Sequence, residues 1–178
     1  MLACVRHGQT SWNERRLLQG SRDIGLDDRG VAQAVAAGRI LGATDWAWIR
    51  ASPLERARRT AGIIAQHVGQ LDVHIDAALI ERDYGAVEGM PASRAAELFP
   101  DGEYPESESV AVLRTRSARA IRLLLELPGA GIAVSHGAFL RAAVAEITGE
   151  PCPRILNGQV VLLEVAPGGR VSAEFLEA

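Results

Sequence analysis

The sequence contains no lysine, and all 19 basic residues among its 178 are arginine. Without a lysine amine, the chain cannot form a Schiff base on a side chain, build a P-loop nucleotide site or use lysine as a general base. The formal charge is −3, and the chain has no basic tail. This charge balance argues against nucleic acid as a partner.

Cysteine, aromatic residues and long apolar stretches are also scarce. Cys4 and Cys152 lie far apart without a C-x-x-C motif, which argues against a disulfide framework and a structural zinc site. Aromatic residues make up 4% of the chain, so we expect a core of alanine and aliphatic side chains. No stretch approaches the roughly 20 apolar residues of a membrane span, and the N-terminal run is too short for a signal peptide. We predict a cytoplasmic protein without a membrane partner.

The apolar pattern predicts one domain, spanning residues 1–178. Short apolar runs at 2–5, 46–51, 71–75 and 131–134 are typical of strands buried on both faces of a parallel sheet. Helical spacing occupies 31–41, 54–68, 110–124 and 137–148, and a hairpin pattern occupies 159–176. The fold predicted is an α/β three-layer sandwich, with a mainly parallel central sheet, helices on both faces and an antiparallel C-terminal hairpin.

Two helix starts carry capping signals. Asp27 precedes the first long helical pattern and is expected to be its N-cap. Ser52-Pro53-Leu54-Glu55 has the order of an N-cap serine, a proline at the first helical position and a glutamate three residues after the cap. The sequence therefore predicts that Ser52 caps a helix beginning at Pro53.

Polar residues follow the apolar runs where the strands should end. Arg6-His7-Gly8 follows the first run, Arg56 and Glu81 come after the second and third, and Ser135-His136-Gly137 follows the fourth. Ligands of open α/β sheets bind outside the carboxyl ends of the strands. We therefore expect these segments to meet at one edge of the sheet.

The expected cluster suits phosphoryl transfer without a metal. Arg6 and Arg56 carry forked donors that match phosphate oxygens, and Arg56 lies in the first turn of its helix, where an anion is favoured. His7 and His136 each precede a glycine, which lets a ligand approach the backbone, and Glu81 can transfer protons. Neither cysteine begins a Cys-x5-Arg motif, the first run lacks a following D-x-D, and His67 and His74 are isolated.

Four motifs occur in order along the chain: R-H-G-Q-T-S-W-N at 6–13, S-P-L-E-R-A-R-R-T-A at 52–61, E-R-D-Y-G at 81–85 and S-H-G at 135–137. Leu18-Gln19-Gly20, and Glu108-Ser109 with Arg116, fit the intervals between them. In these motifs the chain resembles the phosphoglycerate-mutase-like branch of the histidine phosphatase superfamily, over nearly its whole length.

The resemblance implies a role for each motif residue. His7 would be the nucleophile that takes the phosphoryl group, Arg6, Arg56 and His136 would hold the phosphoryl oxygens, and Glu81 would be the general acid and base. Neither a metal nor another cofactor is implied, and the partner is a small phosphorylated metabolite. The residues expected to contact the substrate are Asn13, Gln19, Gly20, Arg82 and Gly137.

Two features favour a phosphatase over a mutase. Ala138 stands where mutases of the family carry asparagine, and residues 86–110 hold six acids against one base. If that segment forms a lid, it offers little to hold the second phosphate of a bisphosphorylated intermediate. Mutase-type transfer is the alternative, and Arg82 and Tyr84 match it. A non-catalytic phosphate-binding module is a third reading, disfavoured because the catalytic set is complete. The natural ester and the oligomeric state stay open.

Overall fold

Six strands form one mixed sheet in the computed structural model, which describes residues 1–176: β1 (Leu2–Arg6), β2 (Trp48–Ala51), β3 (Val73–Ile75), β4 (Gly131–Ser135), β5 (Val160–Val165) and β6 (Val171–Leu176). Their order is β3-β2-β4-β1-β5-β6. The first four are mutually parallel, β5 is antiparallel to β1, and β6 is antiparallel to β5. The predicted fold class is confirmed. Residues 177 and 178 of the predicted domain lie outside the described part.

Apolar side chains cover the sheet on both faces, since successive residues of a strand point to opposite sides. On β1, Ala3 and Val5 enter one core, whereas Leu2 and Cys4 enter the other. The first core is closed by α2 (Asp28–Leu41) and α3 (Glu55–Ala65), and the second by α5 (Val110–Leu125) and α6 (Gly137–Thr148). Two short helices, α1 (Ser11–Glu14) and α4 (Ala92–Leu98), lie outside these layers.

The start of α3 differs from the prediction, whereas the start of α2 agrees with it. Asp27 caps α2 by accepting from Gly30 N at 2.8 Å. Helix α3 begins at Glu55 after an extended Leu54, which makes no side-chain cap. The Ser52 hydroxyl accepts from Leu54 N at 3.4 Å, ahead of the helix, and bonds no N–H group within it. The Asp23 carboxylate, from a distant loop, accepts from Glu55 N at 2.7 Å instead. The Ser52 capping prediction is therefore wrong, because a partner across the fold takes that position.

Two strands, β2 and β3, begin later than their apolar runs, whereas β1 and β4 begin with theirs. Trp46 packs in the core before β2, and Leu71 packs before the three-residue β3. The hairpin of β5 and β6 is confirmed, with Ala166 and Arg170 closing the turn through a 2.8 Å hydrogen bond. No helix within residues 1–176 is long and apolar enough to cross a membrane.

Candidate active site

The carboxyl ends of β1, β2 and β4 meet at one edge of the sheet, and the polar segments that follow them meet there too. Arg6 pairs in register with Ser135, which places the turns after β1 and β4 side by side. A cavity of about 210 Å³ opens at this edge. Its lining consists of Arg6, His7, Asn13, Leu17, Leu18, Gln19, Gly20, Arg56, Glu81, Tyr84, Gly137, Ala138, Arg141, Arg154 and Ile155.

The His7 ring is buried at the floor of this cavity, with 3% of the residue exposed. Its Nδ1 lies 2.7 Å from the carbonyl oxygen of Gly8. A carbonyl only accepts, so Nδ1 carries the proton and the neutral ring keeps a free lone pair on Nε2. Burial, followed by the charges of Arg56 and Arg6, holds the pKa of His7 well below its usual range. The imidazole is therefore neutral and nucleophilic at physiological pH.

Backbone packing, rather than ligand access, requires the glycine after His7. A Cβ on Gly8 would collide with the backbone of Gly30 at the start of α2. The Gly8 amide donates to the Thr60 hydroxyl at 3.1 Å. The sequence-based reason given for Gly8 is therefore wrong. Gly137, in contrast, does line the cavity, and a Cβ there would stand 3.1 Å from Arg6 Nε.

His136 lies behind the cavity wall and is fully buried. Its ring meets that of His7 edge-on, with centroids 5.1 Å apart. Arg56 Nε lies 3.3 Å from Nδ1, and the Ser52 hydroxyl lies 2.7 Å from Nε2. Because a guanidinium only donates, Nδ1 is the acceptor and the proton resides on Nε2, facing Ser52. Burial and the charge of Arg56 hold the pKa of His136 well below its usual range.

Arg56 is fully buried and is held by the backbone of the loop at 20–22. Nη1 donates to Arg22 O at 2.7 Å, and Nη2 donates to Gly20 O at 2.8 Å. With the contact to His136, three of its five N–H groups are used, so each terminal nitrogen keeps one for a ligand oxygen. Glu88 fixes the loop by accepting from Ser21 N at 2.7 Å.

Arg6 presents an unused donor to the same space. Its Nη1 donates to Ile155 O at 2.8 Å, whereas Nε is buried and has no hydrogen-bond partner among the described residues. Burial lowers the pKa of Arg6 to about 10, so the guanidinium stays charged at neutral pH. An unsatisfied buried donor at a cavity wall indicates a place for an acceptor such as a phosphoryl oxygen.

The Glu81 carboxyl group lies at the N-terminus of α6. Oε1 accepts from Phe139 N at 3.0 Å, and Oε2 accepts from Ala138 N at 3.2 Å. Arg116 fixes the backbone on either side of this group, because it donates to the carbonyls of Ile80 and Glu81, each at 2.9 Å. Glu108 in turn pairs with the Arg116 guanidinium through both carboxylate oxygens.

Asn13, Gln19 and Gly20 also line the cavity. Asn13 Oδ1 accepts from Thr10 N, and Asn157 Nδ2 donates both to Asn13 Oδ1 at 3.0 Å and to His7 O at 3.1 Å. The side-chain nitrogen of Asn13, Nδ2, is therefore left as a hydrogen-bond donor. Sequence reasoning missed Asn157, which belongs to no motif and reaches the site from the loop before β5.

Arg82 is the predicted contact residue that does not line the cavity. It is buried beneath the segment after Tyr84, where Nε donates to Glu108 O at 2.9 Å and Nη2 to Gly102 O at 2.8 Å. Its guanidinium also lies over the Tyr104 ring, 5.0 Å from the centroid. Arg82 therefore anchors this segment rather than facing the site.

The cavity lining is positively charged, whereas the segment 86–110, which was considered as a lid, is acidic. None of the six acids within residues 86–110 lines the cavity. Glu88, Glu103 and Glu108 turn onto Arg22, Arg82 and Arg116 instead. The lining contains four arginines and one carboxylate, and two of the arginines, Arg141 and Arg154, had no role in the sequence reasoning. The segment 86–110 thus contributes no group to hold a second anion, and the further arginines come from α6 and from the loop before β5.

Sequence comparison finds similar proteins over most of the chain. The sequence profile of the histidine phosphatase superfamily (branch 1) matches residues 2–175. The uncharacterized phosphatase PhoE of Bacillus subtilis is 37% identical over 147 residues, covering 82% of this chain and 76% of PhoE. The probable phosphoglycerate mutase GpmB of Citrobacter koseri is 39% identical over 163 residues, covering 83% of this chain and 74% of GpmB.

A solved structure shares the fold over nearly the whole chain. The mycobacterial glucosyl-3-phosphoglycerate phosphatase, in complex with VO3, superposes with a TM-score of 0.83 at 26% identity. The match covers 98% of this chain and 96% of that one.

Proposed function

The chain belongs to branch 1 of the histidine phosphatase superfamily, and we propose that it hydrolyses a small phosphate monoester through a phosphohistidine on His7. The observation that carries the proposal is the state of His7: a buried neutral ring at the cavity floor, with Nδ1 bound to Gly8 O and Nε2 free. The positions of Arg6 and Arg56 support it, because both have N–H groups left for phosphoryl oxygens.

In the first step, the Nε2 lone pair of His7 attacks phosphorus as the bond to the ester oxygen breaks. The leaving oxygen takes its proton from the protonated carboxyl of Glu81. The phosphoryl group stays negative throughout, so fixed guanidinium groups stabilise it without rearrangement. The proton on Nδ1 remains bonded to Gly8 O and steadies the ring as it takes up positive charge.

In the second step, the Glu81 carboxylate takes a proton from water, and the water oxygen attacks phosphorus. The bond to Nε2 breaks, which releases inorganic phosphate and restores neutral His7 and protonated Glu81. We assign His136 a positioning role, because both of its ring nitrogens are already engaged, with Arg56 and Ser52. Asn13 supplies a further donor from its amide nitrogen.

The test is phosphate release from p-nitrophenyl phosphate in the presence of EDTA. We expect the wild type to turn over, and His7→Gln to lose at least about a thousandfold in kcat/KM. His74→Gln is the matched control, since this exposed histidine lies on β3, away from the cavity. Near-normal turnover by His7→Gln, or a phosphoryl label trapped on another residue, would contradict the mechanism. Activity abolished by EDTA would contradict metal independence.

Mutase-type transfer is a second candidate, favoured by the four arginines of the lining and by the likeness to GpmB. A mutase must retain a bisphosphorylated intermediate, and an electropositive cavity would help it to do so. The assay supplies 3-phosphoglycerate with 2,3-bisphosphoglycerate. Formation of 2-phosphoglycerate faster than inorganic phosphate would place the mutase first.

A further inference from the structure

Two arginines at the mouth of the cavity have no place in the phosphoryl chemistry described above. Arg141 and Arg154 both line the cavity, yet both are exposed, whereas the cavity arginine Arg56 is fully buried. No carboxylate within residues 1–176 forms an ion pair with either. The lining contains one carboxylate, Glu81, and its oxygens are turned to the backbone of α6.

The two arginines reach the mouth from different elements. Arg141 lies four residues after Gly137 on α6, which places it on the same helix face and about 6 Å further along the axis. Arg154 precedes Ile155, whose carbonyl oxygen holds Arg6 Nη1. Arg154 is close enough to Arg6 for its charge to lower the pKa of that guanidinium. The donors at the mouth thus differ from the phosphoryl donors in exposure and in the elements that carry them.

Four arginines around one cavity make it attractive to anions. Like charges that share a cavity repel each other, and the repulsion is strongest where the walls exclude water. Arg6 and Arg56 are balanced by the phosphoryl group itself. Arg141 and Arg154 are exposed, so water screens their repulsion, and both are available to a further negative group that enters with the substrate.

We propose that Arg141 and Arg154 form a subsite for a second anionic group of the substrate, a carboxylate or a second phosphate. This inference rests on the proposed function, because it presumes that the ester phosphate occupies the floor at His7. The cavity, at about 210 Å³, is smaller than the roughly 300–1,000 Å³ typical of sites for drug-sized ligands. It therefore takes a phosphoryl group and a short carbon chain that ends in the second anion.

The experiment compares matched esters on the wild type and on the double variant Arg141→Gln/Arg154→Gln. 3-Phosphoglycerate and glycerol 3-phosphate present the same primary phosphate and differ in a carboxylate; 1,3-propanediol bisphosphate and monophosphate differ in a second phosphate. We expect the wild type to prefer one anionic member by at least about tenfold in kcat/KM, and the double variant to lose that preference. The pair that shows the effect identifies the anion. Arg122→Gln, exposed at the far end of α5, should keep the wild-type ratio.

Three outcomes would overturn the subsite: no preference by the wild type in either pair, a preference that survives in the double variant, or an equal loss on both members of each pair. The failure of the proposed function looks different. Binding of the same esters to His7→Gln by calorimetry needs no turnover. If His7→Gln binds the anionic ester of a pair more tightly, and if this preference is lost when both arginines are also replaced, the subsite is supported. If the wild type at the same time releases phosphate from none of the esters, the phosphatase proposal is contradicted.

Discussion

The two buried histidines should make the stability of the protein fall below pH 6.5. Burial and neighbouring arginines hold the pKa values of His7 and His136 well below the usual range. In the unfolded chain both rings titrate near 6.5. Between the folded and unfolded pKa values, the unfolded state binds more protons, so acid favours unfolding. This contribution is complete above pH 6.5 and declines as the pH falls through that value.

The loss of stability between pH 7.5 and 5.5 is set by the one pH unit between the unfolded-state pKa, near 6.5, and pH 5.5. A ring that stays neutral in the folded protein at pH 5.5 lowers the free energy of unfolding by about 1.4 kcal/mol relative to pH 7.5. The two rings together reach about 2.7 kcal/mol, a sizeable part of the roughly 5–15 kcal/mol that stabilises a typical domain. Because both residues are at most 3% exposed, little solvent screening reduces this value.

Urea unfolding followed by circular dichroism at pH 7.5 and 5.5, at constant ionic strength, measures the effect. His7→Gln should reduce the pH-dependent loss by about 1.4 kcal/mol, because it removes one of the two linked sites. His74→Gln controls for exposed histidines, and carboxylate titration cancels in the difference from the wild type. A His7→Gln variant with the full wild-type loss would refute the neutral, proton-excluding state on which the nucleophile depends.

Two further predictions concern groups that act through the site residues. Ser52→Ala should lower the free energy of unfolding by about 1–3 kcal/mol in urea denaturation, because it leaves Nε2 of buried His136 without its hydrogen-bond partner. Ser93→Ala, at an exposed position, is the control and should leave the free energy of unfolding unchanged. An equal loss in both variants would contradict the prediction. Arg116→Gln should lower kcat about tenfold or more with little change in KM, because it releases the backbone that positions Glu81. Arg119→Gln on the same helix is the control, and a change confined to KM would argue against positioning.

Periodicity and topology were enough to predict the sheet and the edge at which the polar segments meet. The apolar runs that became β1 and β4 are short and bounded by glycine or charge, and their register leaves no choice about which edge receives Arg6 and His136. Asp27 could be recognised as a cap because its partner, Gly30, is three residues away. A local capping pattern of this kind predicts the structure correctly when no distant group bonds the same atoms.

Distant partners explain the failures. Ser52 carries a local capping pattern, but its hydroxyl meets His136, 84 residues away, and Asp23 caps α3 in its place. The six acidic residues of 86–110 were expected to give a lid with little to hold a second phosphate, but three of them, Glu88, Glu103 and Glu108, pair with arginines outside that segment. Arg141 offered a signal, since it lies one helical turn beyond Gly137 on the face that the site occupies.

The absence of lysine can be understood around the cavity, where arginine side chains hold the loops in place through hydrogen bonds. Each of four guanidinium groups donates to one or two backbone carbonyl oxygens of the surrounding loops, and these arginines are Arg6, Arg56, Arg82 and Arg116. A lysine ammonium carries all its N–H groups on one nitrogen, so it lacks the planar fork that reaches separate carbonyls and the phosphoryl group from different atoms. Arg56 does both, because its two terminal nitrogens hold Gly20 and Arg22 and still keep one N–H each. In the proposed mechanism, the forked geometry of Arg56 therefore joins loop position to phosphoryl binding in one side chain, and Arg56→Lys would keep the charge but lose the fork.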